Sequence, residues 1–351
     1  MLNPSPPNPY RRLTPGLLGL LCLTLLFAGC DFLGADDKTA PGDRLYPVQL
    51  DGLWGFINAS GRITIVPQFD HAADFSEDLA AVQIDPDWGY VDRKGNLVIA
   101  PTYRIAGPFS EGLAPVRGAG LSDPYAYIDA SGGVAIPPRF EAARPFSEGL
   151  AAVRLEGQWG YIDQKGDLVI PPRFSDAGSF SEGLAVVENT EGRVYIDRKG
   201  DIVIDPTFTI EIAGEFSEGL APFATSEGWG YLDRSGNPVI PPRFDEAGPF
   251  SQGLAVIKED GVFGYTDRSG TLVIAAQFRE ARAFTENRAA IRINNSWTYL
   301  DKSSGRVIID RQFLDAEPFA DGLARVRTGD SKNPDVGYID AYGAYVWYPT
   351  N

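Results

Sequence analysis

The chain of 351 residues is poor in the side chains that most often carry catalysis or bind transition metals. It contains one histidine, His71, and two cysteines, Cys22 and Cys30. Zinc sites and Cys–His catalysis require several such residues, and a serine triad requires a histidine held beside the nucleophile. The sequence therefore argues against a cysteine or serine hydrolase and against a His-rich metal site. We expect His71 to be a solvated loop residue.

Positive charge is also scarce, since 31 Lys and Arg residues stand against 47 Asp and Glu residues, for a net charge of −16. Such a surplus of negative charge opposes binding to nucleic acids and to anionic lipid surfaces. The sequence has no glycine-rich phosphate loop, and its Asp-x-x-Gly segments lack the alternating oxygen ligands of a calcium loop. We therefore predict no nucleic-acid partner, no cofactor and no metal site.

One stretch, residues 150–183, is repeated along almost the whole chain. It reads LAAVRLEGQWGYIDQKGDLVIPPRFSDAGSFSEG and contains three short runs rich in Val, Ile, Tyr and Phe, separated by Gly-containing turns. This pattern is typical of a strand meander. The Trp-Gly position recurs nine times, roughly every 34 to 39 residues, and a Phe-Ser-Glu-Gly-Leu-Ala segment keeps the same spacing. The sequence therefore predicts an all-β fold of nine three-stranded antiparallel units.

The predicted repeat domain covers residues 45–351. Its units are residues 45–78, 79–112, 113–149, 150–183, 184–219, 220–253, 254–287, 288–322 and 323–351. A single unit of about 34 residues is too small to bury an adequate core, so the units must stack on one another. We favour an open, curved solenoid, because three strands per unit and nine units depart from the usual propeller and no ring-closing strand is visible. A closed ring resembling a β-propeller is the alternative.

Three segments carry the repeat most clearly. They are WGYVDRKGNLVIAP at 88–101, WGYIDQKGDLVIPP at 159–172 and WGYLDRSGNPVIPP at 229–242. The chain resembles the bacterial WG-repeat family, whose units share this Trp-Gly-Tyr-Ile-Asp core, the following Lys-Gly and the Val-Ile-Pro-Pro run. The resemblance covers roughly residues 45–348. It implies a repeat scaffold and does not imply a particular activity.

The N-terminal segment has the pattern of a targeting sequence. Arg11 and Arg12 precede the apolar run Leu13–Phe27, and small residues lie directly before Cys30. This run is shorter than the ~20 residues that a membrane-spanning helix needs. We predict a lipoprotein signal peptide at residues 1–29, lipidation of Cys30, and a flexible tether at residues 30–44. The expected location is the bacterial cell envelope, with a lipid anchor holding the protein to a membrane.

The acidic residues are mostly the repeated ones, for example Asp163 in one turn and Glu182 in one connection. Paired carboxylates could support glycoside hydrolysis, which needs one acid and one base or nucleophile in unlike surroundings. A residue present in every unit more simply serves the structure of every unit. We therefore predict that the protein is not an enzyme.

Specificity should come from the residues that interrupt the repeat. Surplus residues occur near 117–124, 209–212 and 328–335, where we expect longer loops. The candidate recognition residues are Arg117, Leu121, Tyr125, Thr209, Glu211, Lys332 and Asn333. The predicted function is binding or scaffolding of cell-envelope proteins. Carbohydrate or peptidoglycan binding through exposed aromatic rings is the alternative, and a glycan-processing enzyme is a more distant one.

Overall fold

The computed structural model describes residues 44–120 and 122–350, which form antiparallel β-strands joined by tight turns. The predicted all-β class is confirmed. Within those ranges no helix has the length and apolar character needed to cross a membrane. The predicted signal peptide, Cys30 and most of the tether lie outside the described residues.

The 34 strands are arranged in eight hydrogen-bonded sheets. The first two sheets contain β1 (Tyr46–Leu50), β2 (Leu53–Ile57) and β3 (Ile63–Phe69), and then β4 (His71–Ser76), β5 (Leu79–Ile84), β6 (Asp87–Asp92), β7 (Leu97–Ala106), β8 (Leu113–Gly118), β9 (Tyr125–Asp129) and β10 (Val134–Phe140). The next three contain β11 (Ala142–Ala143), β12 (Ala151–Leu155), β13 (Gln158–Ile162) and β14 (Leu168–Phe174); β15 (Asp176–Ala177), β16 (Ala185–Asn189), β17 (Gly192–Ile196) and β18 (Ile202–Ile204); and β19 (Ile212–Ala213), β20 (Leu220–Thr225), β21 (Gly228–Asp233) and β22 (Pro238–Phe244). The last three contain β23 (Glu246–Ser251), β24 (Leu254–Glu259), β25 (Val262–Asp267) and β26 (Leu272–Phe278); β27 (Glu280–Ala281), β28 (Arg288–Ile293), β29 (Ser296–Asp301) and β30 (Val307–Phe313); and β31 (Asp315–Ala316), β32 (Leu323–Asp330), β33 (Asn333–Asp340) and β34 (Tyr345–Thr350).

Six of the sheets have four strands, so the prediction of three strands per unit is wrong. We name the four positions a to d in chain order, as in β11 to β14. Position a comes from the segment that follows the third apolar run of each unit, such as residues 175–183. Asp176 and Ala177, for example, pair with Glu188 and Val187 of β16. This pairing forms because the connection leaves one unit and its backbone meets strand b of the next.

The seven-stranded sheet joins two repeats through one continuous strand. In β7, Leu97 and Tyr103 pair with β6, whereas Ile105 and Ala106 pair with β8. The same strand thus serves as position d of one repeat and position a of the following one. Elsewhere these two positions are separate strands.

The turns divide each sheet into two edges. The b–c hairpins and the connections from d to the next a lie at one edge, which we call the hairpin edge. The a–b and c–d turns lie at the opposite edge, which we call the turn edge. The predicted Asp-x-x-Gly turn is confirmed at the c–d position, where an oxygen of Asp163 accepts hydrogen bonds from the backbone N–H groups of Lys165 and Asp167, each at 2.9 Å.

The first and last sheets are in contact, so the favoured open solenoid is wrong and the sheets form a closed ring. The hydroxyl of Tyr46 donates hydrogen bonds to the carbonyl oxygens of Ala320 at 3.1 Å and Asp321 at 2.7 Å. The hydroxyl of Tyr338 donates to the carbonyl oxygen of Pro47 at 2.8 Å. One buried cluster spans this junction and contains Tyr46, Val48, Ile57, Leu323 and Tyr338.

The closure does not use a shared strand, and for this reason no sequence pattern indicates it. The first sheet packs on the last through side chains, as each sheet packs on its neighbour elsewhere in the ring. The buried cluster of residues 150–196 shows the same arrangement, since Tyr161 and Ile170 of one sheet pack with Phe180 and Val187 of the next. We call the contact between the first and last sheets the seam.

The glycine that follows Trp in the repeat lies against the backbone of strand d. A Cβ atom on Gly160 would lie 2.5 Å from the carbonyl oxygen of Ile170 and 2.7 Å from the nitrogen of Pro172. Glycine inside a strand commonly marks such a close approach of another backbone segment. The space available at this position therefore decides whether strand d can complete its pairing with strand c.

Candidate binding site at the hairpin edge

Four kinds of repeated polar side chain connect neighbouring units of the ring. Ser181 donates from its hydroxyl to the carbonyl oxygen of Phe216 at 2.8 Å, and Tyr161 donates to the carbonyl oxygen of Gly178 at 2.8 Å. Arg173 donates to the carbonyl oxygen of Gly200 at 2.6 Å. Equivalent serine bonds are made by Ser76, Ser110, Ser147, Ser217 and Ser251, and equivalent tyrosine bonds by Tyr90, Tyr127, Tyr195, Tyr231, Tyr265 and Tyr299. Equivalent arginine bonds are made by Arg139 and Arg243.

The repeated glutamates form the fourth connection. Glu182 has a backbone φ of 53°, in the left-handed region that most side chains avoid, and its carboxylate accepts a hydrogen bond from the backbone N–H of Gly219 at 3.0 Å. The same bond joins Glu77 to Gly112, Glu111 to Gly149, Glu148 to Gly183, Glu218 to Gly253, Gln252 to Asn287 and Glu286 to Gly322. The polar residues that define the repeat are thus engaged between sheets. A surface that distinguishes partners must use residues outside the repeat.

The β15–β18 sheet departs most from the repeat. Val194 occupies the place of Gly160, and strand d of this sheet, β18, is only three residues long. A Cβ in that place would meet the carbonyl oxygen that approaches Gly160, and valine adds two methyl groups to the single Cβ that Ala126 carries without loss of pairing in its sheet. Thr298 also occupies this place, but its hydroxyl donates to the carbonyl oxygen of Ile309, and its sheet keeps the full pairing. Valine has no hydroxyl for such a bond, and strand d separates early.

A two-residue insertion then reshapes the connection that follows β18. Glu211 donates its backbone N–H to the carbonyl oxygen of Ala224, as Ser175 does to Glu188 in the preceding repeat. This register puts Ile210, rather than Phe208, in the place that Phe174 has in the preceding repeat, where the side chain is buried at the junction between two sheets. In the sequence repeat Phe208 has the place that Phe174 has in the preceding unit, but it does not fill the junction. Ile210 is buried there, and Phe208 is displaced outward.

The displaced Phe208 forms one wall of a surface pocket of about 370 Å³, which we call the Phe208 pocket. Its ring centroid lies 5.4 Å from that of Phe223, and the two rings are inclined at 46°. Phe223 is fully buried, whereas Phe208 is partly exposed. The pocket lies at the hairpin edge between the β15–β18 and β19–β22 sheets. Its remaining lining residues are Thr209, Thr225, Ser226, Glu227, Pro238 and Pro242.

The charged residue that lines the Phe208 pocket is acidic, and so are the charged residues next to Phe208 in the chain. Glu227 lines it, and the exposed Asp205 and Glu211 belong to the connection that contains Phe208. None of the described residues that line the pocket is a Lys or an Arg. The pocket thus combines an apolar wall of two Phe and two Pro residues with a negative, hydroxyl-rich rim.

A second, apolar cavity of about 420 Å³ lies between the β19–β22, β23–β26 and β27–β30 sheets. Trp229 and Phe263 line it together with the small residues Ala247, Gly248 and Ala281. In other sheets an arginine at the place of Gly248 covers the ring at the Trp position, as Arg144 covers Trp159 at 5.2 Å. The absence of a side chain on Gly248 therefore helps to leave this cavity open.

The structure distributes the predicted recognition residues over several sheets. Thr209 lines the Phe208 pocket and Glu211 lies beside it. Arg117 and Tyr125 are instead partners across the β8–β9 hairpin, with the guanidinium 5.6 Å from the ring centroid. Leu121 lies outside the described residues.

Lys332 and Asn333 belong to a hairpin that is longer than expected from the repeat. We predicted a loop near 328–335, and this prediction is wrong, because β32 and β33 extend to Asp330 and from Asn333, respectively. Lys332 is exposed at the two-residue turn, where its backbone N–H donates to Asp330 at 3.0 Å. His71 was predicted to lie in a loop, but it begins β4, and its ring stacks on Trp88 with a centroid distance of 6.4 Å.

The pKa values of several tyrosine and aspartate side chains are shifted by burial and by hydrogen bonds within the repeat. Burial raises the pKa of Tyr161 and of its counterparts in strand c, and burial followed by the nearby Asp321 raises the pKa of Tyr46 to about 12. Hydrogen bonds from Ser303 and Ser304 lower the pKa of Asp301 to about 2. Over residues 44–120 and 122–350, no three His, Cys, Asp or Glu side chains are grouped so that they could hold a metal ion.

Comparison with solved structures identifies a related fold. The crystal structure of a eukaryotic initiation factor is similar with a TM-score of 0.64 and 13% identity, covering 86% of this chain and 94% of that chain. The dihydro-heme d1 dehydrogenase NirN in complex with DHE has a TM-score of 0.49 and 13% identity over 91% of this chain and 76% of its own. Apo AztD from Citrobacter koseri has a TM-score of 0.40 and 14% identity over 75% and 93%. At these identities the first similarity concerns the fold alone, and the other two are too distant to support an argument.

No relative was found among the curated proteins with which the sequence was compared. The WG containing repeat matches eight segments that together cover most of the chain, at residues 54–85, 88–117, 125–159, 159–191, 195–224, 229–262, 263–297 and 297–331. Each match begins at or near the Trp-Gly position and continues into the following unit. The chain belongs to the WG containing repeat family.

Proposed function

We propose that this protein is a non-enzymatic binding or scaffolding module of the bacterial cell envelope, anchored to a membrane by a lipid on Cys30. One observation carries the proposal. The repeated Ser, Glu, Tyr and Arg side chains are engaged between sheets, as Ser181 and Glu182 illustrate. Because those groups hold the ring together, the chemistry that differs between units lies at the hairpin edge, where a partner protein would bind.

We also propose that the ring contains nine units. The seven-stranded sheet counts as two of them, because β7 completes one repeat and starts the next. The first sheet counts as one unit with position a absent from the described residues. Nine units agree with the nine occurrences of the Trp-Gly position in the sequence.

Photo-cross-linking in living cells tests the binding function. A photoreactive amino acid at Thr209 or Lys332, on the hairpin edge, should give discrete adducts with envelope proteins. The same residue at Tyr342, which is 89% exposed on the turn edge, is the matched control. No adduct from either hairpin-edge position, or equal adducts from Tyr342, would contradict the proposal.

Metabolic labelling tests the anchor separately. Full-length protein produced with an alkyne-tagged fatty acid should become labelled, and Cys30→Ser should not. Equal labelling of both proteins would rule out lipidation at this residue. Screening against glycosidase, esterase, phosphatase and peptidase substrates should give no turnover, and a turnover removed by one substitution would show an enzyme instead.

The cavity between Trp229 and Phe263 favours carbohydrate binding as the second candidate function. Sugar faces pack on aromatic rings, and a site of about 420 Å³ is within the range of ligand sites. Soluble peptidoglycan fragments would then change the tryptophan fluorescence saturably. Ala281→Trp, which fills the cavity, should remove that response, and a response that survives the substitution would place the sugar elsewhere.

A further inference from the structure

We propose that the Phe208 pocket binds a short peptide segment of a partner protein in which an aliphatic or aromatic side chain lies beside a lysine or arginine. The inference rests on the proposed binding function and names the partner's chemistry and the site that recognises it. It starts from a unit that departs from the repeat in two ways, through Val194 and through the inserted pair Phe208 and Thr209. Both residues still touch a neighbouring sheet, since Val194 belongs to the buried cluster of residues 150–196 and Phe208 packs on Phe223, but neither repeats the polar connections of the other units.

The apolar part of the pocket suits one or two side chains. Its volume of about 370 Å³ is near the lower limit of ligand sites, roughly 300 to 1,000 Å³. Phe208, Phe223, Pro238 and Pro242 supply the apolar lining. An aliphatic or aromatic side chain placed there would exchange water for these contacts, which is favourable in proportion to the apolar area covered.

The rim selects the charge of the neighbouring residue. Glu227 lines the pocket, Asp205 and Glu211 flank it, and none of the described lining residues is basic. A lysine or arginine beside the buried side chain would meet these carboxylates, whereas an acidic peptide would be repelled. The hydroxyl groups of Thr209 and Ser226 are exposed and available to the peptide backbone.

The geometry of the two rings favours a peptide over a sugar. Carbohydrates pack on a flat, exposed aromatic face. In this pocket Phe223 is fully buried, and the ring of Phe208 packs against it with the centroids 5.4 Å apart and the rings inclined at 46°, so the two rings do not form an open, flat platform. A single apolar side chain that covers the partly exposed Phe208 and the two prolines suits this surface better than a sugar ring does.

The test uses the purified full-length chain and a phage-displayed library of random 12-residue peptides. We expect the enriched peptides to place Leu, Ile, Phe or Trp next to Lys or Arg. Synthetic copies should bind about tenfold more weakly to Phe208→Ser and to Glu227→Lys, since truncating a central contact or reversing a facing charge has effects of this size. Tyr342→Ser and Glu156→Lys are the matched controls, at exposed positions of other sheets, and should bind within about twofold of the wild type.

A third variant separates loss of the pocket from loss of folding. Deleting Phe208 and Thr209 together with Val194→Gly restores the regular register of the repeat, in which Ile210 follows directly in the place of Phe174. This variant should remain folded, with a thermal midpoint no lower than that of the wild type, and should lose peptide binding. Retained binding would overturn the proposal.

The remaining outcomes are equally decisive. No enrichment, enrichment of acidic or purely polar peptides, or a glycan bound in place of a peptide would each overturn the inference. Peptides that bind the wild type and both pocket variants equally would also overturn it, but the binding function would stand, because the site would lie elsewhere. Failure of the library together with absence of cross-linked adducts would refute the inference and the proposed function together.

Discussion

Substitution of Tyr46 is the sharpest test of ring closure. Its side chain is 3% exposed, although it lies in the first described strand, and its ring meets that of Tyr338 edge-on at 5.4 Å. Its hydroxyl also donates to two carbonyl oxygens of the last sheet, at 2.7 and 3.1 Å. In an open array this residue would lie at an uncovered end and would contribute little.

The expected magnitude follows from those contacts. Tyr46→Ala removes a buried aromatic ring from the seam and should lower the free energy of unfolding by about 3–5 kcal/mol. Tyr46→Phe removes only the hydroxyl and should cost about 1–3 kcal/mol, because the carbonyl oxygens of Ala320 and Asp321 lose a donor. The control Tyr342→Ala, at a side chain that is 89% exposed, should stay within about 0.5 kcal/mol of the wild type.

Urea unfolding followed by tryptophan fluorescence gives these values, and amide hydrogen exchange locates the effect. Exchange should accelerate first in β1 and β34, which flank the seam. Tyr338→Phe and Tyr161→Phe form a matched pair, since both hydroxyls donate to a carbonyl oxygen of the next sheet at 2.8 Å. Losses of similar size would show that the seam is as tight as an internal contact. If Tyr46→Ala were neutral to within about 0.5 kcal/mol, the ring would not be closed in solution.

Three other outcomes are expected from the same contacts. Gly160→Val should lower the free energy of unfolding by about 1–3 kcal/mol and expose β14, since Val194 at the same place accompanies the short β18. Gly160→Ala should lower it less, because Ala126 is accommodated at this place in β9. Urea unfolding would rank the two variants, and equal losses would contradict the argument from crowding. Ser181→Ala should lower the free energy of unfolding by about 1 kcal/mol, because it removes one hydrogen bond between sheets. Ser226→Ala is the control and should leave the free energy of unfolding unchanged. An unchanged value for Ser181→Ala would show that its hydrogen bond does not stabilise the ring. The free energy of unfolding should be constant just below pH 10 and fall as the pH rises above 10. Folding raises the pKa of Tyr46 from 10 to about 12, so the unfolded chain releases this proton at a lower pH than the folded chain does. A urea midpoint that is unchanged up to pH 12 would refute this prediction.

Several features of the protein were determined by the local sequence. The repeat length, the all-β class and the tight turns follow from periodicity and from residues such as Asp163, whose short side chain caps the turn that contains it. The closeness of the backbone to Gly160 could also be predicted, because glycine beside a large ring indicates that something else occupies the space. These features depend on neighbours within one unit, and one unit of sequence contains all of them.

Other features depend on contacts between distant parts of the chain, which no local pattern records. Strand a forms because the connection at Asp176 meets a strand b ten or more residues later, and its two paired residues are too few to leave a strand signature. Ring closure brings Tyr46 to Asp321, and it could not be seen because it uses face-to-face packing and no borrowed strand. The Phe208 pocket required the register of the following strand, since the backbone bond of Glu211 decides that Ile210 fills the core and Phe208 does not. Local sequence therefore determined the structure of each unit, and tertiary packing decided how the units close into a ring and where the Phe208 pocket lies.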